Sequence, residues 1–114
     1  MSASLQDRPG VDPATFFANI IEIPQQPHNL TVTGRATGDY RVESVRLVRA
    51  HYQADPNVLV LDVDAKLGPV ENPHPELERV FELEYKEDPA RHRYNKVEIV
   101  NGSQRFEVNV TFTL

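Results

Sequence analysis

The chain has 114 residues, no cysteine, 39% hydrophobic and 25% charged residues, and a formal charge of -5 from 17 acidic against 12 basic side chains. That is enough chain for one domain, and it excludes disulfide scaffolds, thiol nucleophiles, Cys-based zinc sites and iron–sulfur clusters. The acidity works against a nucleic-acid binder; with no stretch approaching a membrane span and no apolar run before Gly10, a soluble cytoplasmic protein with no membrane partner is expected.

Residues 1–11 are polar, punctuated by Pro and Gly, and read as a disordered leader ahead of one domain over 12–114. Asp12 followed by Pro13 has the form of an N-cap with proline at the first helical position, and Phe16, Phe17, Ile20 and Ile21 then fall on one helical face. This predicts a short helix over 13–20, although the β-branched run Ile20-Ile21-Glu22-Ile23 suits a strand equally, and Pro24 and Pro27 stop either element.

From His28 the period changes to two. Six strands are predicted over 28–37, 41–53, 57–67, 78–86, 94–100 and 103–113, with turn residues between them. The last is the clearest, since Phe106, Val108, Val110, Phe112 and Leu114 alternate with Arg105, Glu107, Asn109, Thr111 and Thr113. Regularly spaced short strands predict an all-β fold, a six- to seven-stranded antiparallel sandwich with a short N-terminal helix, or alternatively a small barrel. The pattern resembles immunoglobulin-like or transthyretin-like sandwiches in architecture alone, and such folds host unrelated functions.

Three hairpin registers can be read from turn chemistry. A two-residue Asn101-Gly102 turn sets Val97 opposite Phe106, Glu98 opposite Arg105 and Lys96 opposite Glu107. A Gly38-Asp39 turn sets Val32 opposite Val45 and Leu30 opposite Leu47. A connection holding Asp55-Pro56 sets Leu47 opposite Val63, Arg46 opposite Asp64, Ala50 opposite Val60 and Tyr52 opposite Val58. In that last register Val48, Ala50, Tyr52, Val58 and Val60 lie on the face away from Leu59, Leu61 and Val63, so the hairpin end is apolar on both sides.

A second apolar face needs a cover. Either the N-terminal segment supplies it through Phe16 and Phe17, or another protein molecule does. The expectation is therefore a non-enzymatic binding or structural module that works through a protein surface, with a second copy of itself as one candidate partner and no cofactor. The residues of that surface are Val48, Ala50, Tyr52, Val58, Val60, Phe16 and Phe17.

The alternative is a small-ligand or divalent-metal site on an acidic sheet face. Asp62 and Asp64 share one face of a strand and Glu82 and Glu84 share another, and four clustered carboxylates could coordinate Ca²⁺. Against this, Lys66 and Lys86 extend both rows, Arg46 is the expected partner of Asp64, and no loop has the dense Asp/Asn/Gly pattern of a calcium site. His28, His51, His74 and His92 show no metal-ligand spacing and read as surface residues, with His51 the one expected to be partly buried. None of Ser2, Ser4, Ser44 and Ser103 sits in a nucleophile elbow. Arg91-His92-Arg93-Tyr94 reads as a solvated mixed-charge connection, and the Pro-rich stretch 68–77 as the longest link between strands.

Overall fold

A computed structural model describes residues 9–39, 41–68 and 78–114. The described chain is nearly all strand: β1 (Gly10–Val11), β2 (Phe17–Ile21), β3 (Asn29–Gly38), β4 (Val42–Arg49), β5 (Val58–Leu67), β6 (Arg79–Glu87), β7 (Lys96–Asn101) and β8 (Gln104–Thr113). The all-β class holds. Of the two arrangements expected, the barrel is nearer: one eight-stranded sheet curls into an open half-barrel, in the order β1-β3-β2-β8-β7-β5-β4, with β6 on the far edge of β3. Most ladders are antiparallel, but β2 runs parallel to β8 and β5 parallel to β7.

The N-terminal helix over 13–20 does not form. Asp12 caps as its sequence indicates, its Oδ1 accepting from Ala14 N at 3.0 Å with Pro13 following, but the turn ends after Pro13–Thr15 because Phe16 is already extended (φ -88°, ψ 139°). A helix of eight residues barely repays its nucleation cost. As a strand, the same segment buries Phe16, Ala18 and Ile20 on one face and ladders with β3 on one side and β8 on the other. Order also begins earlier than Asp12: Gly10 and Val11 pair with Thr37 and Ala36, and Asn101 Nδ2 donates to Pro9 O at 2.8 Å. Residues 1–8 and 69–77, and with them most of the Pro-rich link, lie outside the described residues.

The β4–β5 register is the one read from sequence, with Leu47 opposite Val63, Val45 opposite Ala65 and Arg46 opposite Asp64. The ladder reaches Ala50, whose N–H donates to Val60 O at 3.0 Å. There the Gln53 amide takes over the pairing: Nε2 donates to Ala50 O and Val60 O, and Oε1 accepts from Val60 N, all at 2.9 Å. Tyr52 is therefore released from the ladder instead of facing Val58.

The β7–β8 hairpin differs by two residues from its expected register. Asn101 pairs with Gln104, so Gly102 and Ser103 form the turn and the left-handed φ of 64° falls on Gly102 at its first central position. A shift of two preserves the faces, so Val97 now meets Val108 and Ile99 meets Phe106. The expected ion pairs survive as diagonal contacts, Arg105–Glu98 at 3.1 Å and Lys96–Glu107 at 3.5 Å.

The β3–β4 hairpin is absent. Strand β3 ladders with β6 along its whole length, Leu30 opposite Glu87 through Gly38 opposite Arg79. Gly38 is the corner where the chain leaves β3, and a side chain there would collide with Val42, whose Cγ2 stands 2.8 Å from the position of a Cβ. The local turn signal was real, but the longer β3–β6 ladder, with its Arg35–Glu82 pair at 2.9 Å, claims the strand instead.

The core lies on the concave side of the curl, where Ala18, Ile20, Leu30, Val32, Leu59, Leu61, Val97 and Ile99 are fully enclosed. Phe16 closes it at the N-terminal end, its ring edge-on to Phe106 with centroids 5.2 Å apart and its Cε2 only 2.5 Å from where a Cβ on Gly34 would sit. Replacing Gly34 by Val should therefore cost about 1–3 kcal/mol through overpacking. Gly10→Ala, with only Thr37 Oγ1 at 3.6 Å, should leave the thermal midpoint near that of the wild type. Thermal unfolding of the two variants side by side checks the assignment of Phe16 to the core.

Candidate functional site

Two regions stand out from a fold otherwise built of an apolar inside and a paired, charged outside. The first is the outer face of β4, β5 and β7. Because side chains alternate across a strand, Leu47, Leu59, Leu61 and Val63 turn inward, while Val48, Ala50, Val58 and Val60 turn outward and remain half-buried. Val100 joins them from β7, opposite Asp62 in the parallel ladder. Tyr52, freed by the Gln53 plug, is 79% exposed. An open groove of about 400 Å³ lies at this face, lined by the apolar Val48, Val63 and Val100, by Asp62, Asp64, His51 and Arg49, and by Gly102.

The proposed surface residues thus divide. Val48, Ala50, Val58 and Val60 are brought together with Tyr52 beside them. Phe16 is a core residue and no part of any surface, because its strand parity turns it inward. Phe17, 53% exposed, sits on the outer face of β2, with β8 and β7 between it and β5. The N-terminal segment, expected as a cover for the hairpin end, is built into the sheet elsewhere.

The carboxylates are not brought together. Asp64 is held by Arg46 Nε at 3.1 Å, Glu82 by Arg35 and Glu84 by Lys86 at 3.9 Å, while β5 and β6 are not neighbours in the sheet. Among the described residues, no group of three or more His, Asp or Glu side chains is placed to hold a metal ion. His51, expected to be partly buried, is exposed, as are His28 and His92; His74 lies outside the described residues.

The second region went unnoticed in the sequence. Glu87 is 6% exposed, a carboxylate at the end of the inward row Phe81, Leu83, Tyr85. It accepts from Tyr85 Oη at 2.8 Å, Tyr94 Oη at 2.9 Å and Arg91 N at 2.9 Å, and the Arg49 guanidinium stands 3.7 Å away. Arg49 ends its own inward row after Val45 and Leu47, and its buried Nε has no hydrogen-bond acceptor. Arg91-His92-Arg93-Tyr94 is therefore more than a solvated link: Tyr94 is buried against the carboxylate, and Arg93 chelates Glu22 at 2.8 and 3.2 Å while stacking on Phe112. The signal was available, since a charged residue continuing an apolar alternation is placed in the core by parity.

Burial and then the hydrogen bond to Glu87 push Tyr94 up from about 10 to about 12, with Arg49 pulling the other way; Tyr85 moves up for the same leading reasons. A phenol with a raised pKa contributes stability that is complete below its unfolded value and lost as pH climbs through the folded one. The fold should accordingly weaken between about pH 10 and 12, and Tyr94→Phe should flatten that decline. Ultraviolet titration of tyrosinate alongside circular dichroism checks this.

Removing one member of a fully buried ion pair costs about 3–5 kcal/mol, but Arg49 is 27% exposed and 3.7 Å from Glu87, so the loss expected here is that of a buried, hydrogen-bonded acceptor, about 1–3 kcal/mol. Glu87→Ala should fall in that range, and Glu87→Gln, which leaves Arg49 unbalanced, should be partly rescued by Arg49→Met. Urea unfolding of the four-member cycle measures the coupling.

Compared with protein-family models, with curated proteins and with solved structures, the chain gives no match in any of the three. Among the described residues no helix is long and apolar enough to cross a membrane.

Proposed function

We propose that this chain is a non-enzymatic binding module that meets another protein, a second copy of itself being one such partner, through the outer face of β4 and β5. The observation that carries the reading is the group Val48, Ala50, Val58 and Val60, half-buried on the outward side of a sheet whose inward side already has its own core. Such side chains add nothing to that core, and a contiguous apolar group beside an exposed Tyr52 has the make-up of a contact centre. The rim supports the same reading, because Arg46–Asp64 and Arg105–Glu98 place paired charges around an apolar middle.

A small-ligand site is the second reading, favoured by the groove itself. With Asp64 held by Arg46, the carboxylate of Asp62 beside Val48 and Val100 is the group that suits a small cation with an apolar body. A ligand selective for the folded state must raise its melting temperature, so a thermal-shift screen of such cations, with calcium as the metal arm, separates this reading from protein contact.

Val60→Asp puts a charge in the centre of the outer face without touching the inward row. It should leave the thermal midpoint nearly unchanged while abolishing concentration-dependent association in sedimentation equilibrium. A strict monomer for the unmodified chain, together with unaltered partner capture by the variant, would overturn the proposal.

A further inference from the structure

Asn101 ends the inward row of β7 after Val97 and Ile99 and is 7% exposed, an amide on a face that is otherwise apolar along this strand. Its Nδ2 donates to Pro9 O at 2.8 Å, while its buried Oδ1 accepts from nothing. That bond ties down the N-terminal segment. The other ties are the two ladder pairs of β1 with β3, the burial of Val11, and Gln104 Nε2 donating to Val11 O at 3.4 Å. A two-residue strand near a chain terminus opens more readily than the body of the sheet.

The residue after Asn101 is Gly102, and of the seven asparagines only this one precedes glycine; the others precede Ile, Leu, Val, Pro or Lys. A backbone nitrogen with no side chain beside it is the least hindered nucleophile toward the neighbouring side-chain amide. The Gly102 N–H donates to no backbone carbonyl among the described residues, and Gly102 is exposed, so water reaches the turn.

We propose that Asn101 is a deamidation site and that its modification acts as a one-way latch on β1. The Gly102 nitrogen attacks Asn101 Cγ: the new N–Cγ bond forms as the Cγ–Nδ2 bond breaks, and Nδ2 leaves as ammonia with the proton of the Gly102 N–H. Water then opens the succinimide ring, leaving aspartate where it adds at Cγ and isoaspartate where it adds at the main-chain carbonyl carbon. In the closed protein the reaction is held back, because Nδ2 is engaged by Pro9 O, the side chain lies inward and Asn101 is fixed in the ladder opposite Gln104. When β1 lifts, the side chain is free to turn toward the Gly102 nitrogen. The product does not restore the contact, since a carboxylate has no proton to donate to Pro9 O and a buried charge facing that carbonyl is unfavourable. β1 then stays undocked, and Val11 is withdrawn from the core with it. The latch is separate from the outer face proposed above and does not depend on it.

The test is to age the full chain in mildly alkaline buffer, following position 101 by peptide mass mapping and isoaspartate labelling, beside a synthetic peptide copying residues 98–106. The folded chain should lose the amide roughly tenfold or more slowly than the peptide, and Val11→Asp, which keeps β1 from docking, should recover most of that factor. Val11→Ala, with a smaller acceleration, serves if that variant fails to fold. The deamidated fraction, separated from the aged protein by ion exchange, should lose hydrogen-exchange protection across β1 and its partners Ala36 and Thr37 while β5 keeps its own, and Asn101→Asp should behave in the same way. Equal retention of the amide in the unmodified chain and both Val11 variants, loss in the folded chain as fast as in the peptide, or full protection of β1 in the deamidated fraction would overturn the proposal.

Discussion

A single sheet can enclose a core only by curling, and a curled sheet must reconcile its two ends. Here the ends are β4 and β6, and everything distinctive about the interior follows from their approach without a ladder. Backbone pairing would have allowed both inward rows to be apolar throughout. Here the rows finish in charge, partly exposed Arg49 on β4 and buried Glu87 on β6, and the burial of that carboxylate demands the phenols of Tyr85 and Tyr94 and the Arg91 N–H around it. The loop after β6 is therefore folded inward, since it has to deliver Arg91 and Tyr94 to Glu87.

Strand β8 supplies the other half of the solution. Its first part, Gln104 to Asn109, ladders with β7, and its last part, Val110 to Thr113, with β2. By changing partner midway it joins the group β6, β3 and β2 to the group β7, β5 and β4, and the parallel entry of β2 is what makes the change possible. An N-terminal helix would have left β8 with an unpaired edge. The segment's choice of strand over helix is thus a demand of the whole sheet, one that its own capping residues oppose for a single turn.

That balance marks how far the fold was legible. Wherever a register depended on the parity of nearby residues, as for Leu47 against Val63, reading was sufficient, because a slip of one would expose the apolar row. Parity alone leaves slips of two open, and the Asn101-Gly102 dipeptide points to a turn two residues out of register because the positive φ falls on Gly102 at the first central position of a Gly102-Ser103 turn. Pairings between distant strands, β3 with β6 and β5 with β7, have no local signature at all. At the candidate site, the outward group of Val48, Ala50 and Val60 followed from one hairpin's register and was legible, whereas Phe16 was assigned to it on helical periodicity and so to the wrong side. Glu87 and Arg49 are written in the alternation, where parity and not charge decides which side of the sheet they take.

The outer surface is organised on different terms. Arg46–Asp64, Arg35–Glu82 and Lys96–Glu107 each join adjacent strands and are exposed, so each contributes little to stability while opposing a one-residue slip of its ladder. Between charges paired in this way the outer faces keep gaps occupied by uncharged side chains. The gap over β4 and β5 is filled by valines and alanine; the one over β2 by Phe17, Asn19 and Ile21, with Asn19 Oδ1 accepting from Thr111 and Thr113, both at 2.9 Å. Of the two, the β4–β5 face has a groove, an exposed tyrosine and a rim of paired charges, while the central polar group of the β2 face is already satisfied by its neighbours. An internally satisfied face offers a partner little charge, and a recessed apolar one with Asp62 in its groove offers shape and charge together, which favours β4 and β5 as the proposed contact surface.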